Sequence, residues 1–284
     1  MSNITVTDIH SKEKGITAFI KRNPLISMYV IMFSLAWSVM IPQSLYSQGI
    51  LATQIPEFLE ILTGWSPAIA SILVSAVIAG RAGVRELLSR FLIWRVGLRW
   101  YLVGVFLLAF IILGGIGLHM LFGGAMPVIP AADSPLWQTA LVFIAMILFL
   151  SLFNMEEVAW RGFALPHLQV RYGALAATLL IAIPEVILHL PLFWIKDSFI
   201  RSVGIDWFSA FSIAAVCIYV YVFNKTKGSL IIVTLLHASQ NAWSNLLSDN
   251  SAGPFHYTVI LIWVIVIMLI TMTRGRLGYR SLEK

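Results

Sequence analysis

Charge is scarce in this chain. Only 11% of its 284 residues are Asp, Glu, Lys or Arg, while 59% are hydrophobic; a soluble globular domain carries about 25% charged residues. That balance excludes a soluble enzyme, a disordered chain and a nucleic-acid-binding domain. The net charge of +6 on its own points toward polyanions, so the placement of the basic residues has to decide. Cysteine is scarcer still: Cys217 stands alone, inside an apolar run. No disulfide framework, Cys-x-x-Cys pair or thiolate metal cluster forms within one such chain. No base or cation stands near Cys217 in sequence to activate it as a nucleophile. No internal repeat is visible. The class that remains is an integral membrane protein.

What the chain has in abundance is long apolar runs. A helix needs roughly 20 mostly apolar residues to cross the hydrocarbon core. Runs of that kind lie near 24–43, 63–80, 100–121, 136–156, 174–194, 207–223, 229–247 and 256–272. They are continuously apolar rather than alternating, which selects helices over barrel strands. The expected fold is therefore all-α, a polytopic membrane protein of about eight transmembrane helices. The run at 24–43 follows mostly polar residues and shows no small-residue cleavage site, so it reads as a span and not a signal peptide. Of the 19 Lys and Arg, all but Lys196 and Arg201 fall in alternate connections that share one side with the N-terminus. Cytoplasmic loops collect Lys and Arg, so both termini are expected in the cytoplasm, with anionic lipid head groups as partners of the basic side and no nucleic acid. Residues 81–100 mix arginines with Leu, Phe, Ile and Trp and read as an amphipathic helix lying at that interface. The expected organisation is a cytoplasmic tail at 1–23, one membrane-embedded domain at 24–273 and a cytoplasmic tail at 274–284. A plasma-membrane location is expected.

Ionisable residues inside spans are costly and face interior cavities, which makes them informative. Three clusters stand out. Asn154-Met-Glu156-Glu157-Val-Ala-Trp-Arg161 closes the fourth run. Glu157 and Arg161 are one helical turn apart and can pair; Glu156 is rotated about 100° away, free to act as a general base. The same spacing is equally that of an interfacial ion-pair cluster ending a helix. Glu185 and His189, also one turn apart, lie between Pro184 and Pro191, which should bend the helix. A lone histidine there would serve a helix-to-helix hydrogen bond, but packing alone asks for no carboxylate. His237 and Asn241 repeat the spacing in the seventh run, where a polar seam between helices is the plain alternative. His119 and His167 have no such neighbours and read as structural or solvated. A carboxylate, two imidazoles and an amide converging in one cavity suffice for peptide hydrolysis without a covalent intermediate.

At these residues the sequence resembles the intramembrane endopeptidases of the CAAX-protease and bacteriocin-processing type, the CPBP or ABI family with its Rce-type relatives. Their motifs are Glu-Glu-x-x-x-Arg, Phe-x-x-x-His and His-x-x-x-Asn. The first stands here as Glu156-Glu157-x-x-x-Arg161 and the third as His237-x-x-x-Asn241; the second keeps His189 but has Glu185 at the Phe position. The resemblance covers roughly residues 60–250, with a protease-like core at about 134–250. It implies Glu156 as the water-activating glutamate and His189 as the residue helping to position that water. It implies His237 and Asn241 as the oxyanion site, Glu157 and Arg161 as a supporting ion pair, and no cofactor. Glu185, a carboxylate one turn from His189, is expected to favour the imidazolium there. The implied substrate is a membrane-bound or lipidated, CAAX-like protein or peptide, reached from the cytoplasmic side.

Two other readings stay open on residues alone. Glu156, His189 and His237 are zinc-ligand types, so a zinc-dependent intramembrane protease is the second enzyme reading, although no His-Glu-x-x-His is present. Buried Glu and His also build proton relays, so a transporter or a partner-binding scaffold is the non-enzymatic one. One geometric requirement follows from helix rise. His189 lies about 24 Å along span five from Gly173 at 1.5 Å per residue, whereas Glu156 is expected near the inner face. Span five must begin outside the membrane core, or bend at Pro184, for the two to meet.

Overall fold

Backbone amides in hydrocarbon have no water to bond, so each spanning segment must satisfy its own hydrogen bonds by becoming a helix. The computed structural model, which describes residues 15–248 and 251–280, follows that rule: among these residues all regular structure is helical. The helices are α1 (Ile16–Arg22), α2 (Pro24–Ser47), α3 (Glu60–Ser89), α4 (Leu98–Leu121), α5 (Leu136–Phe153), α6 (Leu165–Leu188), α7 (Phe199–Lys225), α8 (Leu230–Leu247) and α9 (Ala252–Thr273). The eight from α2 to α9 coincide with the eight apolar runs. Seven helical stretches are long and apolar enough to cross a membrane. The remaining one, α8, is not apolar enough, because it carries Thr234, His237, Ser239, Gln240, Asn241, Ser244 and Asn245. It packs against α4 and α5, with Thr234 and Ser239 buried and Asn245 exposed. The outer parts of the expected tails, 1–14 and 281–284, lie outside the described residues, and so do Lys12, Lys14 and Lys284.

Two glycines redirect the chain at the edges of apolar runs. Gly80, at φ 60°, kinks α3. The segment beyond it exposes Arg81, Arg85 and Glu86 and buries Leu87, the amphipathic character expected for 81–100. The helix is shorter than expected, however. It closes in a 3₁₀ turn at Arg90–Leu92, and Gly97, at φ 90°, starts α4 as a new helix. Positive φ is close to free for glycine and disfavoured for residues with a Cβ.

Gly173, at φ 77°, is the second redirecting residue. The chain is helical from Glu156 through a π-helical stretch, Val158–Ala164, to Tyr172, and again from 174 to Leu188. Arg161 and Glu185 each stand twelve residues from Gly173 and touch, so the two arms are antiparallel and in register. Glu156 and His189, seventeen and sixteen residues from the turn, are thereby brought to one level. This corrects two expectations. Glu156 does not close span four at the inner face; α5 stops at Phe153 and a new arm starts after the non-helical Asn154. The bend lies at Gly173, not at Pro184, which sits inside α6. α2 runs alongside the second arm, with Trp37 Nε1 donating to Leu188 O at 3.0 Å and Ser44 Oγ to Pro191 O at 2.5 Å. Trp160, Arg161, Tyr219, Leu165, Ile181 and Leu230 fill the centre where the hairpin meets α7 and α8.

Candidate active site

The three polar clusters of the sequence meet at the open end of this hairpin. Glu157 is their hub. Arg161 Nη1 donates to Glu157 Oε1 at 3.1 Å across one helical turn. The same Nη1 reaches Glu185 Oε2 at 3.2 Å, and the guanidinium lies over the Tyr219 ring at 4.7 Å. Arg161 and Glu157 are 0% and 1% exposed. A buried cation is tolerated only when paired, and here it holds two carboxylates and an aromatic face. Arg161 is therefore not one of the solvated loop charges among which the side-by-side count of Lys and Arg placed it.

His237, reaching in from α8, completes the network. Its Nδ1 meets Glu157 Oε1 at 3.0 Å. Its Nε2 meets Asn154 Nδ2 at 3.3 Å. The amide orientation follows from the other end of Asn154, where Oδ1 accepts from the Glu156 backbone N–H at 3.4 Å. The amide NH₂ must then face His237, so Nε2 is an acceptor and the ring proton sits on Nδ1, donated to Glu157. Tautomers are read in this way from what each nitrogen faces. Asn241 lies one turn beyond His237 on α8, half-buried.

Glu156 is buried yet faces a cavity of about 650 Å³ that Asn154, Gly64, Phe153 and Leu192 also line. Its Oε2 accepts from Trp160 Nε1 at 3.2 Å, and it lies within electrostatic reach of His189, His237 and Arg161. His189 turns to the backbone of Glu185. Its Nδ1 is 2.8 Å from the Glu185 carbonyl oxygen, which can only accept, so Nδ1 carries the proton and Nε2 is left as an acceptor. The Glu185 carboxylate turns to Arg161 instead, with which it forms a charge-assisted hydrogen bond. Phe208 flanks the His189 ring at 5.4 Å.

The structure thus gathers Glu156, Glu157, Arg161, Glu185 and His237 in one connected region, places His189 at the same level, and carries Asn241 on the helix that presents His237. Sequence reading gave Asn154 a place in the first cluster but no role, and passed over Trp160 and Tyr219. Trp160 had a signal, being one turn from Glu156. Tyr219 had none, since it belongs to an apolar run on a distant helix and hydrogen-bonds Gln240 Oε1 at 2.7 Å. Among the described residues no three His, Cys, Asp or Glu side chains come together as a metal-binding group. Cys217 is buried.

Known proteins resemble the part of the chain that carries this region. Residues 135–243, which carry α5, the hairpin and His237, match the family model for the type II CAAX prenyl endopeptidase Rce1-like proteins. The chain is also 24% identical over 207 residues to a CAAX prenyl protease 2 of Methanococcus maripaludis, an alignment covering 69% of this chain and 76% of the relative.

Proposed function

We propose, for a chain whose comparisons support the CPBP/Rce1-type family and an intramembrane protease, that it hydrolyses a peptide bond in a membrane-associated or prenylated protein by a glutamate-activated water. One observation carries the reading: Glu156 is a buried carboxylate facing a cavity, and its neighbour Glu157 already neutralises Arg161. Glu156 takes a proton from a water molecule as the water oxygen attacks the scissile carbonyl carbon, then passes that proton to the departing amine. His189 Nε2 accepts a hydrogen bond from the O–H the water keeps, the role its Nδ1 bond to the Glu185 carbonyl leaves open. The oxyanion is stabilised from α8, by the Asn241 amide and by His237. At rest the Asn154 amide donates to His237 Nε2; when the incoming carbonyl displaces that amide, Nε2 takes up a proton from bulk water and donates it to the oxyanion as a hydrogen bond, with Glu157 on Nδ1 as the counter-charge of the resulting imidazolium. Glu157, Arg161 and Glu185 position; they do not touch the reacting atoms.

The test is a cleavage assay with the purified full chain in nanodiscs, on matched prenylated and unprenylated membrane peptides. Glu156→Gln removes the base and should lower kcat by about 10²- to 10⁴-fold. His237→Ala removes an oxyanion donor and should lower it by about 10²- to 10³-fold. Wild-type turnover in Glu156→Gln defeats the assignment. Turnover should be unchanged by a zinc chelator; its loss would restore the metalloprotease reading around Glu156, His189 and His237.

A further inference from the structure

α6 ends at Leu188, directly before His189, and the way it ends strips a backbone group of its partner. In a continuing α-helix Leu188 O would accept from the Leu192 N–H. That N–H turns to His189 O instead, at 3.0 Å, as the helix tightens into the 3₁₀ turn Leu190–Trp194. A 3₁₀ turn would fill Leu188 O from residue 191, but residue 191 is proline and has no N–H. Leu188 O is thus left without a backbone donor, at a depth where no water takes its place.

The missing donor comes from another helix. Trp37 Nε1 on α2 donates to Leu188 O at 3.0 Å across 151 residues of chain. The bond acts on His189 directly, because Leu188 O and the His189 Cα belong to one rigid peptide plane. The N–H of that plane goes to Val186 O at 3.1 Å. Past His189, Ser44 Oγ, two turns further along α2, reaches Pro191 O at 2.5 Å. α2 therefore grips the chain on both sides of the imidazole, while His189 Nδ1 is held from within α6 by Glu185 O. Trp37 is half-buried and packed edge-to-face with Phe33 at 5.3 Å, which keeps its N–H aimed. Trp37 and Ser44 both lie outside 135–243, the stretch that matches the family model.

We propose that Trp37 is a positioning residue for His189: its indole N–H fixes the peptide unit from which the imidazole hangs, and so sets where Nε2 meets the attacking water. Trp37 acts through His189 and touches no reacting atom. The proposal rests on reading the Glu156 cavity as the proteolytic site.

Two measurements on the full chain in nanodiscs test it. The first needs no turnover. With isotope-labelled histidine, nitrogen NMR resolves the ring signals, and those of His189 are assigned by their absence from His189→Ala. Wild type should give one set, with the proton on Nδ1. Trp37→Phe keeps an aromatic ring and removes the donor; it should broaden or split the His189 set and leave the His237 set as it was. Ser44→Ala, the milder change, releases the second grip and should disturb the same set. A His189 set unchanged in both variants overturns the proposal. The second measurement is kinetic. Misplacing a catalytic group by about 1 Å can cost 10²-fold, so one lost tether should lower kcat roughly tenfold, with KM close to wild type. Ser38→Ala removes an exposed hydroxyl bonded to Leu35 O on the same helix and should change neither reading. In the His189→Ala background Trp37→Phe should lower kcat no further, because residues that act through one group are not additive. An equal further loss there means that Trp37 serves the bundle and not His189, and overturns the proposal. Wild-type turnover in His189→Ala would instead defeat the proteolytic role of His189, with the ring signals still deciding whether Trp37 holds it.

Discussion

A single oxygen, Glu157 Oε1, receives both Arg161 Nη1 and His237 Nδ1. It therefore couples the charge balance of the hairpin to the orientation of the α8 imidazole. Arg161 is the costlier partner to lose. Truncating it leaves Glu157 and Glu185 buried close together without a counter-charge. Breaking a buried pair in this way costs about 3–5 kcal/mol. Arg161→Met should therefore lower the thermal unfolding midpoint of the detergent-solubilised chain sharply. Adding Glu185→Leu to that variant removes one stranded carboxylate and should recover part of the loss, so the two changes should be non-additive. Additive effects would show that Glu185 and Arg161 do not depend on each other. The departure at Glu185 then has a local explanation: the position feeds the arginine network, while the backbone carbonyl of the same residue, available whatever the side chain, orients His189.

The hairpin and its contact with α3 set the geometry at the next scale. A Cβ on Gly64 would stand 2.1 Å from the Phe153 carbonyl oxygen. That obstacle is backbone and cannot rotate away. Gly64→Ala must push α3 from the joint that launches Glu156 and break the Met155 N–H bond to Gly64 O. Misplacement of catalytic groups by about 1 Å can cost 10²-fold in rate. The variant should insert and fold yet lose turnover on that order, while Gly117→Ala, with open space around the new methyl, should leave kcat unchanged. Full activity in Gly64→Ala would place the working geometry elsewhere. The eight apolar runs were legible in the sequence because each helix writes its length in hydropathy, and the one-turn pairs were legible because helical spacing is fixed. Gly173 was not legible. Residues 157–173 carry Arg161, His167, Gln169 and Arg171 between two apolar runs and read as a connection, so nothing marked them as a helical arm, and a positive φ leaves no mark beyond a glycine. That one residue decides whether Glu156 ends a span or begins an arm. Its misreading produced the apparent mismatch with His189, and the stop of α5 at Phe153 went unseen for the same reason. Asn154 was visible as a polar residue, but its two-sided role depends on a helix 83 residues away.

The whole molecule combines an apolar exterior with one strongly basic end. Phe110, Leu121 and Leu148 are 71%, 76% and 62% exposed, as suits an acyl-chain environment, and the arginines bordering the Gly173 turn cluster at one end of the bundle. A Lys or Arg near an anionic surface gains about 1 kcal/mol from it. The three arginines after α9 line a single cavity with that turn, so anionic head groups held there would tie the tip of the hairpin to the C-terminal stretch. The chain should unfold at a higher temperature in phosphatidylglycerol nanodiscs than in phosphatidylcholine nanodiscs. The Arg274→Gln/Arg276→Gln/Arg280→Gln variant should lose most of that difference while matching wild type in phosphatidylcholine. Raising the salt to about 1 M shortens the screening length to about 3 Å and should erode the wild-type advantage in parallel. Equal midpoints for the wild-type chain in both lipids would mean that the basic rim orients the chain during insertion without holding lipid afterwards.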